Sequence, residues 1–133
     1  MGKRFICLLL LWMTFACDHT NTEHLIGKWR LDSVQYHYNN FSHSSSGWYQ
    51  EETYEYLPTD ELIVSAVNAY MKIPYKITKG EIHHLNQLGQ TEEIYSILKL
   101  SKEMLVLKVE NTPLFEGKQQ SRYEIRYFSR FPG

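Results

Sequence analysis

Six histidines, a cysteine that ends an apolar run, and a recurring set of tyrosines are the residues of this 133-residue chain whose chemistry could be put to use. The histidines raise metal binding first. His83 and His84 are adjacent, and adjacent side chains of an extended strand point to opposite faces, so the pair cannot easily chelate one ion. His19 and His24 flank a polar stretch, and His37 and His43 sit in or beside a Ser/Asn-rich one. With no second ligand pair at helix or hairpin spacing, they read as surface residues, and no metal is expected. Ser, His and Asp are available for a hydrolytic triad, as in almost any chain. No G-x-S-x-G turn, P-loop or dinucleotide fingerprint accompanies them. Glu51 and Glu52 are consecutive and, on a strand, face apart. The expectation is a protein that is not an enzyme and takes no cofactor.

The tyrosines say more. Tyr36, Tyr38, Tyr54, Tyr56, Tyr75, Tyr95, Tyr123 and Tyr127 recur on extended segments, several in phase with aliphatic residues. Either they fill a core, or their inward hydroxyls give an otherwise apolar cavity the few polar groups that ligand sites use. Phe41 and Trp48-Tyr49 add an apolar tip to "HYNNFSHSSSGW", which reads as a loop. Tyr36, Tyr38, Phe41, Trp48, Tyr54 and Tyr56 are therefore the candidate residues for a small, mostly apolar ligand. The alternative is a protein partner, held by the loops around Trp48 and Phe115 without any cavity: an envelope inhibitor, immunity or assembly protein.

Cys17 belongs to a different chemistry. Lys3 and Arg4 precede an apolar run from Phe5 to Met13, and Ala16 supplies a small residue before Cys17, the layout of a signal peptide. The run through Cys17 is 13 residues, short of the roughly 20 that a membrane-spanning helix needs. Cleavage before Cys17 discards Cys7, so Cys17 has no intramolecular disulfide partner. It also removes Lys3 and Arg4, leaving 12 basic residues against 15 acidic ones, a mild balance that argues against a nucleic-acid partner. Ala16-Cys17, behind a basic start and an apolar core, resembles the bacterial lipoprotein signal. That resemblance implies acylation of the cysteine sulfur and its new amine by chains such as palmitate. It also implies membrane attachment and a place in the bacterial cell envelope, in the outer membrane and facing the periplasm or the surface. Thr14-x-Ala16 would also suit the ordinary secretory peptidase, which would leave Cys17 free, but the lipid anchor is the expected outcome.

The elements that must position these residues follow from period-two alternation. Strands are expected near 28–38, 52–57, 62–66, 73–77, 81–87, 92–100, 105–109 and 122–128. A phase flip at Asp32-Ser33 predicts a bulge in the first. In the last, Tyr123, Ile125 and Tyr127 face one way, and Arg122, Glu124 and Arg126 the other. Most connections are too short for crossovers, so neighbouring strands are antiparallel. Eight such strands can close on themselves and remove their edges. Short connections at 58–60, 78–80 and 101–103 pinch one end. The long ones at 39–50 and 111–120 ring the other, the natural mouth.

Gly27-x-Trp29 at the start of the first strand resembles the lipocalin and calycin pattern. The resemblance implies an all-β, eight-stranded antiparallel up-and-down barrel. In it the glycine turns the chain tightly into the barrel and the tryptophan closes the narrow end under a basic residue from near the last strand. Arg126 and Arg130 are the candidates. The chain is similar to the short lipocalin-like lipoproteins of bacteria, and departs from full-length lipocalins in lacking the Thr-Asp-Tyr motif and a helix after the last strand. The expected organisation is a signal peptide over 1–16, an acylated cysteine and tether over 17–24, and a barrel domain over 25–133. The tether enters at the pinched end, so that end should face the membrane and the loops should point away.

Overall fold

The computed structural model describes residues 22–46, 51–111 and 120–131. A single 3-10 turn, Thr22–Leu25, leads into nine strands among these residues: β1 (Gly27–Tyr38), β2 (Phe41–Ser46), β3 (Thr53–Tyr56), β4 (Glu61–Ala66), β5 (Ala69–Thr78), β6 (Glu81–Leu85), β7 (Thr91–Leu100), β8 (Met104–Glu110) and β9 (Arg122–Arg130). All neighbours pair antiparallel, and β1 also pairs with β9 from Trp29↔Arg130 to Tyr38↔Arg122. That seam closes the sheet into an eight-stranded barrel with β2 as one additional strand. The all-β closed barrel expected from the alternation is thus present. So is a register shift between Leu31 and Ser33, where the phase flip predicts a bulge.

The additional strand is the main departure from the sequence reading. Residues 41–46 were expected inside a long loop, yet they pair with the upper half of β1, from Tyr38↔Phe41 to Ser33↔Ser46. The cause is a shortage of partners. β3 pairs with β1 only over Gly27 to Arg30, which leaves the backbone groups of residues 33–38 unpaired on that edge. Asn39 takes φ 52°, a conformation asparagine tolerates, and turns the chain straight back to supply them. Ladder bonding here overrides the weak strand signal of the serine-rich segment 41–46. The upper end is therefore less loop-rich than expected. Its first connection is the two-residue turn Asn39-Asn40, and its second spans 67–68.

The core fills the pinched half. Leu25, Trp29, Leu31, Tyr56, Leu62, Ile82, Leu105, Leu107 and Phe128 are all at most 2% exposed. Leu25 reaches this plug from the 3-10 turn, so the last residues of the expected tether fold against the barrel. Phe128, in register with Leu31 and Leu105, fixes the inward face of β9. By alternation Arg122, Glu124 and Arg126 share that inward face, while Tyr123, Ile125 and Tyr127 lie outside. On the outside Tyr123 stacks on His37 with ring centroids 4.4 Å apart, and the Tyr127 hydroxyl bonds Gln35. These two tyrosines line neither a core nor a cavity. Burying one phenylalanine at the plug sets the parity of the whole strand.

Candidate functional site

Two groups of polar side chains meet the barrel interior, one at each end of the plug. At the pinched end, Gly27 enters β1 with φ +128°, and a Cβ there would lie 2.5 Å from Nη1 of Arg130. The missing side chain is what lets Arg130 lie over Trp29, its guanidinium carbon 3.8 Å from the ring centroid. The same guanidinium donates to the carbonyls of Ile26 (3.0 Å), His24 (2.6 Å) and Lys102 (2.9 Å). The Trp29 indole N–H donates to the Leu25 carbonyl at 2.9 Å. Of the two arginines named for this position, Arg130 occupies it.

Arg126 lies elsewhere, further up β9 and inside. Its Nη1 donates to the Tyr54 hydroxyl at 3.1 Å, and its Nε and Nη2 to Oε2 of Glu124 at 3.3 and 3.1 Å. Its guanidinium also stands over the Tyr95 ring, 5.5 Å from the centroid. Burial opposes its charge, but the Tyr95 and Tyr54 hydroxyls and Glu124 outweigh that and hold its pKa above the ordinary value. Tyr54 in turn donates to Glu52 at 2.8 Å, Tyr95 to Glu93 at 2.6 Å, and the Asn111 amide to Glu124 at 3.3 Å. Burial is also the largest cause raising the pKa of Tyr54, Tyr56 and Tyr95, so all three stay protonated. The result is a layer of tyrosines and carboxylates around one guanidinium, seated directly on the apolar plug.

Two buried atoms in this region have no partner. They are the Tyr56 hydroxyl and Nε2 of His84. Tyr56 is 1% exposed and meets Tyr75 edge-on; His84 is 6% exposed, its ring 4.6 Å from that of Tyr95. Burial pushes the His84 pKa down to about 4, so the ring is neutral near pH 7. Expected on the surface, His84 is an interior residue because it alternates with the fully buried Ile82. Glu93 and Asn111 also line an open groove of about 610 Å³ at the rim between β7 and β8.

The sequence-derived ligand residues divide accordingly. Tyr54 and Tyr56 are buried at the layer and the plug. Tyr36, partly buried, stacks on His43 across the β1–β2 hairpin, and Tyr38 donates to Gln120 at 3.2 Å. Phe41 is 79% exposed at the rim, paired with Tyr38 across the hairpin. Cys17, Trp48 and Phe115 lie outside the described residues. Arg126 as an interior group, with Glu124, Glu93 and His84, was missed. The available signal was the parity of "RYEIRYF", which places Arg126 and Glu124 on the side of Phe128. Among the described residues, no three His, Cys, Asp or Glu side chains gather as a metal ion would require. No protein-family model, curated protein or solved structure matches this chain.

Proposed function

We propose that this chain is a lipid-anchored, lipocalin-like protein of the bacterial cell envelope that binds a small, largely apolar ligand through the open end of its barrel. The supporting observation is the pair of unpartnered buried atoms, Tyr56 Oη and His84 Nε2, both within the field of Arg126. Buried polar atoms in native proteins are almost always bonded, and an orphan costs about 1–3 kcal/mol. A bound molecule with a polar end relieves that cost. The wall on the side of β1, β4 and β5 supports an apolar body, since Val34, Val64 and Ile73 pack there. Native mass spectrometry of the protein isolated from its own cells tests the reading: a co-purifying small molecule is expected, and a bare barrel rejects it. The anchor has its own test. Cys17→Ala should move the protein from the membrane fraction to the soluble one, and retention in the membrane overturns the lipid attachment.

A second reading has its own observation. Phe41, Val67, Tyr70 and Leu88, each at least 69% exposed, sit on or beside the three described turns of the open end. Such a rim suits a protein partner without a ligand. A bare barrel that captures an envelope protein only while Phe41 and Leu88 are intact would favour it.

A further inference from the structure

The following inference rests on the ligand-binding reading and concerns the head group that the site takes. An arginine inside a barrel invites an anion, but the charge of Arg126 is already paired with the Glu124 carboxylate at 3.1 Å. Three of its five N–H groups are engaged, two by the Glu124 carboxylate, which neutralises its charge, and one by Tyr54. Around it stand Glu52, Glu93 and Glu124, while on the same inward face of β9 the nearest further cation is Arg122, at the rim. Three carboxylates against two guanidinium groups leave the layer net negative. His84 adds no positive charge near pH 7. The two groups still lacking a partner are both neutral: a phenol that must donate its proton, and an imidazole nitrogen. An incoming carboxylate would satisfy the phenol but meet the field of the half-buried Glu124 and Glu52, with the exposed Glu93 beyond them, and like charges repel most where water is excluded. A hydroxyl or amide satisfies the same atoms without that cost.

We infer that the barrel selects neutral amphiphiles, with a hydroxyl or amide head at Tyr56 and His84, and discriminates against the carboxylate of equal chain length. Glu124 is the selectivity-determining residue, because it neutralises Arg126. Isothermal titration calorimetry of the purified protein near neutral pH, with 1-decanol, decanamide, decanoate and decyltrimethylammonium, tests this. The neutral pair should bind at least about tenfold more tightly than decanoate, the carboxylate bearing the repulsion of the net negative layer. Glu124→Gln frees the guanidinium and should reduce or invert that ratio, whereas Tyr56→Phe should weaken decanol and decanamide and leave decyltrimethylammonium unchanged. Decanoate or the ammonium binding as tightly as decanol overturns the inference, as does a ratio unchanged in Glu124→Gln, while leaving the ligand-binding reading standing. If none of the four binds, the ligand-binding reading falls and takes the inference with it.

Discussion

Arg130 and Arg126 are four residues apart on one strand, and they show how differently a single residue type can be used. Arg130 spends its guanidinium on three backbone carbonyls and the Trp29 face. Arg130→Ala should therefore lower unfolding stability by about 2 kcal/mol in urea titrations, with Arg130→Lys recovering little, because lysine cannot reproduce the planar fork. The resemblance to the lipocalin pattern pointed to a basic residue over Trp29 but left two candidates. Only the register of β9 against β1, Trp29↔Arg130, decides between them. His84 carries a second prediction. Burial holds its folded pKa near 4 against 6.5 when unfolded. Below pH 6.5 the unfolded chain takes up the proton that the folded one refuses, so stability is full above that value and falls as pH drops toward 4. At about pH 5.5 the loss is about 1.4 kcal/mol relative to pH 7.5. Urea unfolding at both values should show it, and His84→Gln should abolish it.

At the scale of elements, alternation made most strands legible, because strands buried on one face repeat every two residues. It could not assign the inward side of β9, since "RYEIRYF" offers an aromatic face and a charged face that ends in Phe128. Nor could it find β2, whose "FSHSSS" carries almost no strand signal and exists because β1 needs a partner above β3. Turns were more readable. Lys79 and Gly80 connect β5 to β6 with φ 48° and 77°, the paired left-handed geometry that a two-residue hairpin requires. A side chain at Gly80 meets nothing within 4 Å. Gly80→Ala is thus a test of backbone strain alone, and should cost about 1 kcal/mol by thermal unfolding.

Across the whole molecule the interior is graded from an apolar pole to a polar mouth. The pole was visible in the sequence through Gly27-x-Trp29 and the short turns, since packing and turn geometry depend on local residue types. The polar layer was not, because it assembles from β3, β6, β7 and β9, and no short window of sequence brings Tyr54, His84, Tyr95 and Arg126 together. The seam that completes the barrel has a consequence in time rather than in space. Hydrogen bonds there join residues about a hundred positions apart, as Arg30 and Ser129 illustrate. Neither β1 nor the upper half of the interior is finished until β9 arrives, so every contact around Arg126 waits on the most distant pairing in the chain. Chains dominated by such pairings fold in roughly milliseconds to seconds rather than microseconds. A chain still emerging from synthesis, before residue 122, has no closed barrel, and the network around Arg126 comes together only in the last act of folding.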